Sequence, residues 1–443
     1  MSYRGRLVGE TIREVVLGQK CTGCGTCAVA CRKGAISIVL DTRKGLYLPI
    51  IDKDKCTYCG LCKQVCPGIT LGDKVLREGF IDQESPIPLL GEYSKCYIGH
   101  STIKEIRYNS ASGGLVTQLL ILALEEGIID GALVTRMKRE VPWEPEPFIA
   151  RTKDEMVEAS TSKYCPVPAN VALRTILNAG EGSFAVVGLP CHLLGISQLE
   201  KIYPQLKDRI VLRFGLFCSH TDSFHGTSFL FARLGIDPER LVHLKYRGDG
   251  WPGGVNIKLE SGTTSSVPLG TLLWRMFHDS LLFAPSACLY CSDVTCEEAD
   301  ISFGDAWLRE VIAHENAGES VVITRSERGE DLLRIAQDKG MVEVAPLKPW
   351  DVVRSQRIFL HFKKVNICAR GVRVSNELPC SVGNSIANWI VRIGHWMGSS
   401  VLGRWFLKRL PLTVIEIYFR VFYKVYLGVV DSDFDRLTRG MDR

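Results

Sequence analysis

From about residue 97 to 350 the chain alternates two kinds of apolar run. The longer kind opens after Ser112-Gly113-Gly114, continues to Glu126 and stops at Gly127, which predicts a helix ended by glycine. The shorter kind recurs at 131–137, 184–188, 210–217, 301–304 and 321–324 and predicts strands. Strands alternating with helices predict an α/β sheet. In such sheets ligands bind at the carboxyl ends of the strands. Cys191, after Leu189-Pro190, and Cys218 both stand at such ends. After residue 381 the pattern changes. Asn384 to Leu410 is apolar with interruptions, Pro411 breaks it, and Leu412 to Val430 resumes it. In that last stretch only Glu416, Arg420 and Lys424 are charged; four residues apart, they form one stripe on a helix.

At roughly 150 residues per domain, 443 residues predict about three domains. We place them at 1–90, 91–380 and 381–443. Hydrophobic residues make up 46% and charged residues 23%, which excludes a disordered or collagen-like chain. The formal net charge is +5. Between Asn384 and Val430 stand Arg392, Arg404, Lys408, Arg409, Arg420 and Lys424 against Glu416 alone, so this segment carries the whole excess. Its cations are dispersed among apolar residues, which argues against nucleic acid. Three charges in Leu412–Val430 disfavour a spanning helix. An interfacial helix or a partner-docking hairpin fits better, with a helical cap on the core as the alternative. The first twenty residues are charged throughout and show no signal peptide, so the expected location is cytoplasmic, with room for peripheral contact on the inner face of a membrane. In that compartment 17 cysteines, an odd number, point to metal ligands or reactive thiols rather than disulfides.

Eight of the 17 lie before residue 67. Cys21, Cys24, Cys27 and Cys31 follow the spacing C-x2-C-x2-C-x3-C, and Cys56, Cys59, Cys62 and Cys66 repeat it. The surrounding text repeats too, CTGCGTCAVAC against CTYCGLCKQVC, an internal duplication. Three thiolates two residues apart can wrap three corners of an iron–sulfur cube, with Gly25 and Gly60 letting the backbone turn. A zinc site prefers pairs of cysteines across a longer spacer. The segment, about residues 12–80, resembles a bacterial-type two-[4Fe-4S] ferredoxin domain. In such domains the fourth cysteine of each run serves the other cluster. That assigns one cluster to Cys21, Cys24, Cys27 and Cys66 and the other to Cys56, Cys59, Cys62 and Cys31. Pro67 follows the second run as in that family, whereas Arg32 replaces the proline after the first.

Three further cysteines, Cys288, Cys291 and Cys296, are closely spaced, and a fourth ligand would come from Cys218 or Cys191. The Ser112-Gly113-Gly114 turn at a helix start suits a phosphate, with an ordinary N-cap as the plain alternative. In order, the segments SASGG, TSKYC, GLPC, LFCSH, CLYCSD and ADISFGDAW resemble the beta-subunit family of coenzyme F420 (a deazaflavin) hydrogenases and dehydrogenases, over about residues 95–355. The resemblance implies FAD held between a deazaflavin or related substrate and a third [4Fe-4S] cluster. It matches Cys288, Cys291 and Cys296 to the cluster, with Cys218 as the fourth ligand and Cys191 as the alternative. It matches Ser112, Gly113, Gly114, Lys163 and Tyr164 to the flavin. A flavin exchanges both hydrides and single electrons, so it belongs between a hydride carrier and the clusters.

The expected whole is therefore a multidomain chain of mixed α+β and α/β class. It has a ferredoxin-like N-terminal domain, a central α/β flavin-binding region and a helical tail. Its expected partners are a redox protein or subunit and a hydride carrier. A ferredoxin-fed flavin reductase of another substrate and a non-catalytic electron-transfer subunit are the alternatives. The remaining residues receive plain readings. Cys96, Cys165, Cys368 and Cys380 read as buried thiols, His100, His192, His220 and His225 as structural histidines that could donate protons near the flavin, and Lys245 to Gly254 as a mobile, solvated loop.

Overall fold

The computed structural model describes residues 10–70, 87–365 and 393–411, together with residues 414, 416, 417 and 430. In its N-terminal part, strands β1 (Ile36–Asp41) and β2 (Leu46–Ile51) form an antiparallel hairpin in regular register, Ile36 opposite Ile51. Ile12, Val15 and Ile36 close a small core around Cys27, Cys62 and Cys66.

The central region is an eight-stranded sheet built from β3 (Lys95–Ser101), β4 (Gly131–Met137), β5 (Pro145–Ala150), β6 (Phe184–Gly188), β7 (Ile210–Leu216), β11 (Ile301–Asp305), β12 (Ser320–Thr324) and β13 (Val342–Pro346). Their order is β13-β3-β12-β11-β7-β6-β4-β5. The inner strands β11, β7, β6 and β4 pair in parallel, and the flanking pairs are antiparallel. Side chains alternate between two apolar layers, as period 2 requires. Ala132 and Val134 on β4 face helices Leu115–Glu125 and Glu327–Asp338, whereas Leu133 faces helices Leu173–Asn178 and Pro190–Glu200. A smaller antiparallel sheet, β8 (Leu241–Lys245), β9 (Gly254–Leu259) and β10 (Thr264–Pro268), encloses an aromatic core with Phe224, Tyr246, Trp274 and Phe277.

The fold is of the expected mixed class. The runs read from the sequence as strands are β4, β6, β7, β11 and β12. The antiparallel strands β3, β5 and β13 were not read, because flanking strands rely on pairing more than on an apolar run. The segment 245–254 is a correction. Tyr246 and Arg247 are buried and Trp251 nearly so, and the segment packs against the sheet rather than lying in solvent. In the tail, helix Val401–Arg409 packs Leu407 against Phe229, Met276 and Leu282, the cap-like alternative for this portion. Most of Leu412–Val430 lies outside the described residues, as do Cys368 and Cys380. Among the described residues no helix is long and apolar enough to cross a membrane.

Gly113 sits where β3 and β12 meet the helix start. A Cβ there would lie 2.5 Å from the Gly99 carbonyl oxygen and 3.0 Å from the Ser320 nitrogen, both backbone atoms that cannot swing away. Gly113→Val is therefore expected to destabilise the fold by about 1–3 kcal/mol or more, seen as a lower urea midpoint with an unchanged slope. Flavin loss with an undiminished midpoint would place this glycine beside a phosphate instead.

Candidate functional site

Each four-cysteine run folds the same way. Gly25 and Gly60 take left-handed backbone, φ 87° and 77°, and open the short helices Thr26–Ala30 and Leu61–Gln64. The third cysteine of each run lies in its helix and the fourth just beyond. A small cavity is bounded by Cys21, Cys24, Cys27 and Cys66, three thiols of the first run and one of the second, and is closed by Ile12, Ile38 and Pro67. Burial pushes the Cys21 thiol up to about 11, and burial with repulsion from Cys24 and Cys21 raises Cys66 further. Burial also raises Cys62, where Cys59 and Cys31 add to the rise. Thiols so placed resist ionising beside one another, and a central cationic core reverses that balance. Four convergent soft donors in a dry cavity suit an iron–sulfur cluster.

The loop carrying Cys24 docks on the central region. Asn170 donates its backbone N–H to the Cys24 carbonyl at 2.9 Å, and its side chain donates to Thr26 Oγ1 and the His192 carbonyl. A Cβ on Gly25 would meet Val171 Cγ1 at 2.6 Å, so glycine is required by closeness as well as by φ.

A second thiol group gathers across this contact. Cys191 begins helix Pro190–Glu200 just past β6, Cys218 follows β7, and Cys288 and Cys291 lie in and after helix Ser286–Tyr290. Burial raises the Cys191 thiol well above its ordinary value, followed by repulsion from Cys24, Cys218, Cys291 and Cys288. Burial pushes Cys218 up to about 11 and, with Cys218 beside it, Cys288 up to about 12. Cys296 differs. It is fully buried, its sulfur lies 3.8 Å from the Gly188 carbonyl oxygen, and it packs against Gly215. After burial, Asp293 and Arg325 act on it more strongly than any thiol. The charges acting on Cys191 thus group it with Cys218, Cys288 and Cys291, whereas Cys296 is acted on by Cys218 only after Asp293 and Arg325. The resemblance matches Cys288, Cys291 and Cys296 to a cluster, with Cys218 as the fourth ligand and Cys191 as the alternative to it.

Cys218 also lines a cavity of about 930 Å³ at the carboxyl ends of the parallel strands. Ser112, Gly114, Lys163 and Tyr164 line it too, together with Leu115, Val116 and Thr117 of the first helical turn. Gly113 stands behind the wall. The Ser112 hydroxyl is used in bracing, donating to the Glu319 carbonyl at 3.0 Å and lying 2.6 Å from Ser320 Oγ. Lys163 donates to the Ala159, Ser160 and Thr161 carbonyls. Burial, helped by Lys245 and opposed by Cys165, pulls its pKa down to about 7. This volume lies within the range of small-molecule and cofactor pockets, and the free N–H groups of a helix start suit a phosphate, so the residues fit a dinucleotide such as FAD.

Several wall residues escaped the sequence reading. Buried Arg247 binds the Asp305 carboxylate through two nitrogens, at 2.9 and 3.0 Å, and donates to Tyr164 Oη at 3.1 Å. Trp251 Nε1 also donates to Asp305. His278 stacks on His220 and meets the Tyr164 ring at 4.2 Å between centroids. Its Nδ1–H donates to the wholly buried Asp222 at 2.6 Å, and His220 Nε2–H donates to the His278 carbonyl at 3.0 Å. Burial opposes charge on His278, but Asp222 prevails and raises its pKa. Donor atoms of these three residues lie within 4.8 Å of one another, close enough for a metal ion, yet the ring N–H groups are already committed in a chain of hydrogen bonds. Of the four histidines considered from the sequence, His192 also lines the cavity, but burial brings it down to about 4 and its ring bonds to backbone. His100 pairs with Glu319, and His225 reaches the Arg43 carbonyl. Cys96 and Cys165 are buried thiols.

Comparison with known proteins matches residues 96–174 and 182–349 to the N-terminal and C-terminal family models of the coenzyme F420 hydrogenase/dehydrogenase beta subunit. Residues 20–68 match a 4Fe-4S dicluster domain. Coenzyme F420 hydrogenase subunit beta of Methanothermobacter thermautotrophicus is 30% identical over 59% of this chain and 87% of its own. The coenzyme F420-dependent sulfite reductase of Methanocaldococcus jannaschii is 25% identical over 80% of this chain and 51% of its own length. A chain of the F420-reducing [NiFe] hydrogenase complex from Methanosarcina barkeri superposes with a TM-score of 0.50 at 25% identity, covering 64% of this chain and 94% of that one.

Two variants separate the candidate ligands. Cys191→Ser is expected to lose about four of about twelve irons per chain, and Cys296→Ala to keep them all. Iron and sulfide analysis of anaerobically reconstituted protein reads this directly. The reverse result would restore Cys296 to the donor set.

Proposed function

The chain belongs to the coenzyme F420 hydrogenase/dehydrogenase beta-subunit family, and from that premise we propose that it is an iron–sulfur flavoprotein oxidoreductase. It exchanges a hydride between a deazaflavin such as coenzyme F420 and FAD, with single electrons relayed through three [4Fe-4S] clusters to or from a redox partner. The carrying observation is adjacency. The large cavity reaches Cys218, Cys218 belongs to the thiol group of Cys191, and Cys191 lies within electrostatic reach of Cys24 in the ferredoxin-like part. FAD would supply the one chemistry that no side chain here has, trading hydrides on one side and single electrons on the other.

The chain's own residues then do the following. The first turn of helix Leu115–Glu125 and the Gly114 turn offer N–H groups to a phosphate. Arg247, held by Asp305, fixes Tyr164 in the wall. The aromatic rings of Tyr164, Trp274 and Phe277 exclude water from that side. His278 holds a proton at Nδ1 against Asp222 Oδ2 and can keep its charge because that carboxylate is buried beside it. Exposed Cys59 supports an exit to the partner at the far end of the ferredoxin-like part.

The test is anaerobic. Reduced F420, NADH and NADPH are added in turn to reconstituted protein, and flavin and cluster absorbance are followed. Bleaching by reduced F420 is expected. Bleaching by another donor alone would change the substrate class, and bleaching by dithionite only would leave an electron-transfer subunit. A pH series gives a second check. Lys163 gains its proton as pH falls through about 7, and the ammonium attracts an anionic cofactor. FAD affinity should therefore rise as pH falls through that range, and Lys163→Met should flatten the profile in a fluorescence titration.

A further inference from the structure

We propose that Lys363 tunes the reduction potential of the third cluster, through a fixed positive charge near Cys218, Cys288 and Cys291 and an N–H···S bond to Cys291; this rests on the reading of those thiols as cluster ligands. The residue stands in a π turn, His361–Val365, that follows the short helix Arg357–Leu360. Such a turn changes where successive side chains point and recurs at functional sites. Here two adjacent lysines both enter the interior, with Lys363 1% exposed and Lys364 7%.

The two ammonium groups meet different neighbours. Lys364 pairs with the Glu297 carboxylate at 2.5 Å. Lys363 donates to Cys291 Sγ at 3.3 Å and to the Asp293 carbonyl oxygen at 2.8 Å. The negative groups acting on Lys363 are, strongest first, Cys291, Cys218, Cys288 and only then Asp293. The Asp293 carboxylate is engaged elsewhere, accepting the Cys296 and Glu297 backbone N–H groups at 2.7 and 2.9 Å.

A buried ammonium is costly unless negative charge lies beside it. A cluster with its four thiolates is negative in both oxidation states and gains one more negative charge on reduction. A cation at fixed distance, little screened where water is absent, therefore stabilises the reduced form more than the oxidised one. A hydrogen bond to a ligating sulfur acts in the same direction. Lys363 thus raises the potential of the cluster standing between the large cavity and the ferredoxin-like pair, and so biases which way an electron rests.

The experiment compares wild type, Lys363→Met and Lys363→Arg as full-length, reconstituted protein. Iron is counted and the reduced-cluster EPR signal is titrated against potential, with the third cluster identified as the signal missing in Cys288→Ser. Lys363→Met is expected to keep its iron and to lower the reduction equilibrium of that cluster about tenfold, about 59 mV for one electron. Lys363→Arg should stay near wild type. If Lys363→Met loses only the third cluster while Lys363→Arg keeps it with its potential, the charge role also stands. An unchanged midpoint in Lys363→Met overturns the proposal, as does loss of the cluster in both variants, which would make the residue merely structural. Wild-type protein with only about eight irons would instead refute the third cluster itself.

Discussion

Thiols packed out of reach of water repel one another as soon as they ionise, and much of this structure answers that repulsion. Burial opposes the thiolate at Cys21, Cys27 and Cys66, at Cys62, and at Cys191, Cys218 and Cys288, so these thiols are not stable together as anions by themselves. The compensation must come from a cationic core bound by the sulfurs or from neighbouring charge. At the first ferredoxin-like run the backbone prepares the first kind, since left-handed Gly25 and a short helix bring Cys21, Cys24 and Cys27 to one cavity, and Gly60 repeats the turn in the second run. At the third group the protein adds the second kind, with Lys363 brought into contact with Cys291.

The same constraint explains the docking of the two parts. Under the proposed function an electron passing between the cysteine groups would need short distances, which the docking of the ferredoxin-like loop provides. Gly25 lies against Val171, and Asn170 clamps Cys24, Thr26 and His192 at once. The buried asparagine is an apt clamp, because losing any one of its bonds would strand a polar group away from water. The contact also lets Cys24 act on Cys191 at the end of β6, alongside Cys218, Cys291 and Cys288.

The sequence made some of this legible and hid the rest for definite reasons. The eight N-terminal cysteines could be read because their ligand geometry is local, with two-residue spacing acting directly on a loop. The parallel strands could be read because burial on both faces leaves an apolar run. The position of Cys191 beside Cys218, Cys288 and Cys291 could not be read. Spacing groups Cys296, five residues from Cys291, with Cys288 and Cys291, and only the fold shows that Asp293 accepts its backbone N–H and that its sulfur lies beside Gly188 and Gly215. Arg247 looked like a loop cation because nothing beside it reveals Asp305, 58 residues away. Asp222, His278 and Lys363 were missed for the same reason, each being an ordinary polar residue until the fold supplies its partner.

Those hidden residues divide the work in a way the visible ones cannot. Clusters held by the cysteines would pass electrons alone, whereas the proposed hydride exchange also moves protons. In the large cavity His278, bonded to Asp222, and Lys163, on its three carbonyls, belong to the wall. Cys218 is the member of the third thiol group that borders that cavity. In the proposed reaction protons would thus find partners in the cavity and electrons at Cys218, on one wall. A fold that kept these sets apart without such a shared wall could bind every cofactor and still fail to exchange one kind of carrier for the other.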